Sequence, residues 1–477
     1  MTGTSADKGH MCRAHKFHIK VSHSKMNSLE QYIDLYESNR DTIDAHSAGA
    51  LNARRPQALQ NLKMAGRLAD SGDEGFEKTS VNDMFAPDFG VNINRVDIPA
   101  DVAASFRCGV PNLSTLLGVV VNDRFAATPT LLGNLPDGVT VCSLAYAAKA
   151  YPDIVDRYYD ALCSQAASGP ADAAARLNTL LCQDGVFIHV ARGVRLEKAL
   201  QIVQIFQAGF PLMAARRTLL VAEADSHIAV LKCDHTRPES QSVMSSEVVE
   251  IFAGDNATVE WYDIEESSAD TARCSRMFVS QATGSSVNVC TATLTNGVTR
   301  NDFSIRVAGD HTRTRLSGMA IGSANQHIDN SSALVHEGHH GHSNQLFKYV
   351  LDESASGAFE GSIEVASCSQ FVEAYQSNRN ILASTRARMH TKPQLLIYND
   401  DVKCSHGATT GQLDDSALFY MQTRGIPLNE ARRMLMQAFM MDVIDSIDLL
   451  PLRDRLRHMV ECRFAGQRAT CSECSQS

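Results

Sequence analysis

Gly297-Val298-Thr299-Arg300-Asn301-Asp302-Phe303-Ser304-Ile305-Arg306-Val307-Ala308-Gly309 decides the fold class. Phe303, Ile305 and Val307 alternate with Ser304 and Arg306, so an extended strand carries the three apolar side chains on one face. Glycines bracket the run at 297 and 309 and recur at 284 and 322, a strand-and-turn unit every 12–13 residues. Val259 and Trp261 share the period-two pattern, as do Phe347, Tyr349 and Leu351. Short strands therefore dominate residues 185–411. The repeat fits a β-sandwich or the stacked coils of a parallel β-helix, and periodicity does not separate the two.

On the N-terminal side the period changes. Residues 1–26 are polar, with His10, His15, His18 and His23, lack the apolar core of a secretory signal, and read as a disordered extension. Residues 27–80 read as helical: Leu29, Ile33 and Tyr36 follow a capping Asn27-Ser28, and a second run spans Pro56 to Leu68. Residues 81–184 mix both periods. Leu116–Val121 and Gly138–Val141 are strand-like, and 153–182 is helical. On the C-terminal side, 412–465 is helical. Leu413–Gln422 forms a short helix, Leu428, Ala431, Leu435, Ala438 and Phe439 line one face of a longer one, and Leu452–Phe464 forms a third. Residues 466–477 read as a flexible tail.

At 477 residues, two or three domains are expected. A net charge of −10 argues against general nucleic-acid binding, and no apolar run approaches the ~20 residues of a membrane span. The 13 cysteines are odd in number and thinly spread, which points to a reducing, cytoplasmic setting rather than a disulfide framework. No Gly-x-x-x-x-Gly-Lys-Ser/Thr phosphate loop, dinucleotide fingerprint or Gly-x-Ser-x-Gly elbow is present, so the chain is expected to bind no nucleotide and to hydrolyse none.

The chemistry concentrates in Asp400-Asp401-Val402-Lys403-Cys404-Ser405-His406-Gly407-Ala408-Thr409-Thr410-Gly411. In an extended strand Cys404 and His406 point to the same side. Thiolate plus imidazole is a donor set for iron, zinc or copper, or a nucleophile with its base. Cys404 needs a metal, or a cation such as Lys403, to become thiolate at neutral pH. His336, His339, His340 and His342 form a second, looser metal candidate without a helical ligand pair. Cys471-x-x-Cys474 is a third, weak as one pair alone. Asp400 and Asp401 admit a rival reading as the acid/base groups of a carbohydrate-active β-helix enzyme, but neighbours on a strand face opposite ways.

From Ser343 onward the text Ser343-Asn344-Gln345-Leu346-Phe347-Lys348, Gly357-Ala358-Phe359-Glu360-Gly361, Gln376-x-Asn378-Arg379-Asn380, Lys392-Pro393-Gln394-Leu395, Asp400–Gly411 and Leu418–Ile426 runs in an order and spacing that resemble SufD of the SufB/SufD family. These are scaffold subunits of the SUF iron–sulfur cluster assembly system. The resemblance implies a mainly β fold, a right-handed parallel β-helix core flanked by N-terminal and C-terminal helical domains. It implies a non-catalytic scaffold that pairs with a SufB homologue, docks the SufC ATPase through Leu428, Ala431, Leu435 and Phe439, and leaves open a homodimer where SufB is absent. A transient iron–sulfur cluster would form at the partner interface, with His406 first and Cys404 second as ligands, and a His at position 336 is ordinary for the family.

Overall fold

The computed structural model describes residues 27–95, 115–166, 169–237 and 240–466. The extension with His10, His15, His18 and His23, and the tail with Cys471 and Cys474, lie outside the described residues. From Val186 to Gly411 consecutive strands alternate between two sheets, and each strand pairs in parallel with the strand two places on. In the first sheet Val298 lies beside His327, His327 beside Ser356 and Ser356 beside Arg388, so one coil takes 29–32 residues. The core is thus a parallel β-helix, and the period-two residues of the opening stretch all face into it. Phe303, Ile305 and Val307 pack there with Trp261, Val289, Leu316, Phe347, Tyr349 and Phe359.

Coil stacking explains the glycine repeat. Strands in neighbouring coils lie ~4.8 Å apart, and at the corners that leaves no room for a side chain. A Cβ at Gly309 would stand 2.1 Å from the Thr283 amide nitrogen, and one at Gly338 would stand 2.1 Å from the Gly309 carbonyl oxygen. Another corner carries one left-handed residue per coil: Asp225, Asn256, Gly284, His311, His340 and Phe371. Asp, Asn, His and Gly tolerate that region best. Each amide donates to the next coil, as His311 to the His339 carbonyl (2.8 Å), His340 to that of Gln370 (2.9 Å) and Phe371 to that of Asp401 (2.7 Å).

The flanks are helical. Ser28–Ala45, capped by the Asn27 side chain, packs with Arg55–Ala65 and Pro170–Leu181 against the outside of the first sheet, where Leu29, Tyr32, Tyr36, Leu62 and Leu177 meet Met213, Met244 and Cys274. The run expected to be helical over 153–182 is helical in separate pieces. Pro152–Tyr158 ends before a turn at Cys163–Gln165, and a new helix begins at Pro170, where the fixed proline φ suits a first turn. Beyond Gly411, Asp415–Thr423, Leu428–Ile444 and Leu450–Phe464 fold back onto the second sheet. Met436, Met440, Val443, Ile444, Leu452 and Leu456 bury there against Leu231, Tyr262, Ile264, Cys290 and Met319. Among the described residues no helix is long and apolar enough to cross a membrane.

Candidate functional site

The two ends of the β-helix differ. At its beginning, Val139–Ser143 runs antiparallel to Val186–Val190 on the first sheet, and the Leu116–Val121/Arg124–Ala127 hairpin closes the second. At its far end Arg388–Ile397 and Val402–Gly411 are the last strands of the two sheets, and each has a strand neighbour on one side alone among the described residues.

Val402–Gly411 carries the Cys-x-His pair. It is extended, as expected, with Cys404 opposite Ala374 and His406 opposite Gln376 of Val372–Leu382. Cys404 turns inward between the sheets, packed with Ile363, Val365, Val372, Ala374, Leu395 and Ile397. His406 follows on the same side, roughly 7 Å along the strand at ~3.4 Å per residue, and is exposed. The partner strand supplies a polar line below it. Gln376 is buried and donates to Gln345 (3.2 Å), which accepts from Ser332 (2.7 Å). That interior row changes from Val289 and Leu316 to Gln345, Gln376 and His406 as it nears the open end. Gly361 makes the space, since a Cβ there would stand 2.3 Å from the Gln376 amide nitrogen.

Lys403 does not activate Cys404. It points to the other face of the strand and bonds Glu373 at 2.8 Å. Burial pushes the Cys404 thiol above its ordinary value and so favours the neutral thiol. Asp400 and Asp401 sit in the turn before the strand rather than on it, and the Asp401 carbonyl caps the Phe371 amide. Gly407 and Gly411 border open space.

The four histidines do not converge. His336 is fully buried in the β-helix interior. Its Nε2 lies 2.9 Å from the Ser343 hydroxyl, and burial lowers its pKa to about 4, so it is neutral near pH 7. His339 accepts from the Gln370 amide through Nδ1 (3.2 Å). His340 stacks between His311 (4.7 Å) and Phe371 (4.9 Å), the spacing of adjacent coils. His342 starts its strand on the surface, 6.1 Å from the Tyr375 ring. Among the described residues no group of three or more His, Cys, Asp or Glu side chains is arranged to hold a metal ion. Of the helical residues expected to dock a partner, Leu428 is exposed and Leu435 half-buried. Ala431 is buried, and Phe439 is turned inward, its ring 4.6 Å from Lys348 Nζ. The exposed apolar side chains nearby are Phe419, Tyr420, Leu428 and Met434.

One feature escaped the sequence reading. Arg216, Lys232, Asp234, Glu247, Asp263, Glu265 and Arg273 are all buried inside the first coils. Arg216 bonds Asp234 (2.8 Å), Lys232 bonds Glu247 and Asp263, and Arg273 bonds Asp263. Glu265 takes hydroxyl donors from Thr299 (2.9 Å), Ser267 (3.0 Å) and Thr293 (3.2 Å), and desolvation lifts its pKa to about 7. The signal was present in Trp261-x-Asp263-x-Glu265, where the inward alternation runs straight on through carboxylates.

Comparison with known proteins matches residues 205–439 to the core domain of the SufBD family of SUF-system FeS cluster assembly, and residues 26–202 to the SufBD N-terminal region. An iron–sulfur cluster assembly SufBD family protein of Synechocystis sp. is 29% identical over 447 residues, 92% of this chain and 97% of the relative. The iron–sulfur cluster assembly protein SufD of Bacillus subtilis is 24% identical, covering 72% of this chain and 78% of its own. SufD of Escherichia coli is 35% identical over 37% of this chain and 40% of the relative.

Proposed function

The chain belongs to the SufBD family of iron–sulfur cluster assembly proteins, and from that premise we propose that it is a non-catalytic scaffold on which a nascent cluster is built at an interface with a SufB homologue. The observation that carries the reading is the placement of Cys404 and His406 on one face of the last strand, at the end where, among the described residues, both sheets have an unpaired edge. Two donors are too few to hold a cluster, so the remaining ligands come from the partner. The unpaired edges supply the means to bring it close, because a strand edge is a row of free amides and carbonyls. The cluster is cargo. A site shared across an interface releases it when the two subunits part.

The helices after Gly411 carry the second contact. Leu428–Ile444 spends Met436, Met440 and Ile444 on the β-helix, which leaves Phe419, Tyr420, Leu428 and Met434 to dock the SufC ATPase. ATP hydrolysis belongs to that subunit, since this chain has no phosphate-cradling loop.

The test is the iron and acid-labile sulfide content of the reconstituted complex. His406→Ala is expected to abolish or sharply reduce both while folding and subunit capture persist, and Cys404→Ala to do the same or less. Unchanged content with normal maturation of a client protein refutes the placement.

A further inference from the structure

The interior row that ends at His406 is an amide ladder, and the ladder has a direction. Gln345, Gln376 and His406 stand one above the other on three successive strands of the second sheet, Gln345 opposite Gln376 and Gln376 opposite His406. Neighbouring strands lie ~4.8 Å apart, so side chains on one face meet rung to rung. Ser332 Oγ donates to Gln345 Oε1 (2.7 Å), and Gln376 Nε2 donates to the same oxygen (3.2 Å). Gln376 therefore spends its amide nitrogen on the rung below and keeps its carbonyl for the rung above. The residue is 3% exposed, and its Oε1 is buried without a hydrogen-bond partner among the described residues. A buried carbonyl oxygen in a native interior ordinarily has a donor. The side chain directly above it is the imidazole of His406.

The same interior uses this device elsewhere. Asn301 Nδ2 donates to Asn330 Oδ1 (3.0 Å) from one coil to the next. Asn380 Nδ2 donates to Thr410 Oγ1 (3.1 Å) across the two strands that carry Gln376 and His406. We propose that Gln376 is a positioning residue for His406: its Oε1 accepts one ring N–H of the imidazole and leaves the other nitrogen, unprotonated, to face the partner subunit. The inference rests on the reading of His406 as a cluster ligand. A neutral imidazole has one N–H and one lone pair, so the acceptor that holds the first decides which nitrogen offers the second. Metal-binding histidines are commonly held in this way by a carbonyl or carboxylate on the other nitrogen. Gln376 itself touches neither iron nor sulfide.

The contact is tested first without a cluster. In the full-length chain with isotope-labelled histidine rings, a His406 N–H held by Gln376 is expected to exchange slowly enough to be seen by NMR at slightly alkaline pH, and His406→Ala assigns the signal. Gln376→Met, close in length but without the acceptor, is expected to lose it. Gln376→Glu keeps the oxygen and is expected to retain it. In the reconstituted complex, Gln376→Met is expected to weaken iron retention roughly 10–100-fold, with circular dichroism and capture of the SufB homologue unchanged, and Gln376→Glu to restore most of the loss. A ring signal absent from the wild-type chain, or one that survives in Gln376→Met, overturns the inference, and so does full iron retention in Gln376→Met. The wild-type arm stands even where Gln376→Met fails to fold. Iron content indifferent to His406→Ala, with the ring signal still governed by Gln376, instead brings down the cluster-site reading.

Discussion

The beginning and the end of the β-helix are built from the same coil but finished differently. The beginning is sealed. Antiparallel strands close both sheets, and the segment around Tyr159–Leu181 is locked to the outer face by Arg217, fully buried between Asp160 (3.0 Å) and Glu250 (2.7 Å) with Tyr159 beneath its guanidinium. The end is open. Among the described residues Arg388–Ile397 and Val402–Gly411 offer ten-residue edges, and the guards against stray pairing there are Arg388, Lys392 and Pro393 in one strand and Lys403 in the other. In a stacked-coil protein each unit is stabilised by its neighbours, so an unstacked face costs stability. The largest buried ionic network lies in the early coils, and Cys404 and His406 stand on the last strand.

Substitutions at the two ends are expected to separate stability from assembly. The largest loss of stability is expected from Arg217→Ala, which leaves Glu250 and Asp160 buried without their cation. Removing one partner of a buried pair costs about 3–5 kcal/mol, measurable as a lower midpoint in urea. A loss under about 1 kcal/mol breaks the distinction.

Next is the buried network in the early coils. The Glu265 carboxyl ordinarily titrates near 4.5 and is lifted to about 7 in the folded state. The folded chain therefore holds a proton that the unfolded chain has lost between those values, and stability falls as pH rises across that interval, then levels above it. The term is worth roughly 3 kcal/mol. Glu265→Gln is expected to flatten the decline between pH 4.5 and 7 and to gain relative to wild type above pH 7, as followed by urea unfolding at several pH values. An unchanged pH slope removes Glu265 as the titrating group. His336 works in the other direction. Its pKa is lowered to about 4, so the stability it carries is present above its ordinary value near 6.5 and is lost as pH falls from there towards 4. His336→Gln is expected to remove that acid-side decline.

The smallest effects on stability are expected at the open end. Cys404→Ala removes a half-buried sulfur and is expected to cost about 1 kcal/mol. His406→Ala, exposed, is expected to change the unfolding free energy by less than about 0.5 kcal/mol, while the same substitution is expected to abolish or sharply reduce the iron content of the assembled complex. A variant that unfolds as readily as Arg217→Ala would make His406 a stabilising residue and the open end an ordinary one.

Much of this was readable in the linear text. The alternation of Phe303, Ile305 and Val307 depends on the two-residue repeat of an extended chain, and the glycine spacing on the room left between strand ends, so both are local properties that survive without any knowledge of partners. The side shared by Cys404 and His406 follows from the same parity. Parity also made the charged interior legible in principle, through Trp261, Asp263 and Glu265, but local propensity treats carboxylates as surface residues and passes over them.

What the sequence by itself determined is the strand period, the glycine spacing, the helical flanks, and the pairing of a thiol with an imidazole on one strand face; the stacking of those strands into coils was implied only by the family resemblance. Tertiary structure alone decided which residues those side chains meet. The period places His336, His339, His340 and His342 within seven residues, yet the corner at His340 sends one inward, one into an aromatic stack and two to the surface. Helical period marks Ala431 and Phe439 as one apolar face, but only the packing against Lys348 and the second sheet shows that face already covered. The strand period and the glycine spacing arise from backbone geometry acting over a few residues; the use made of each side chain arises from contacts between segments 30 to 200 residues apart, and no local pattern encodes those distances.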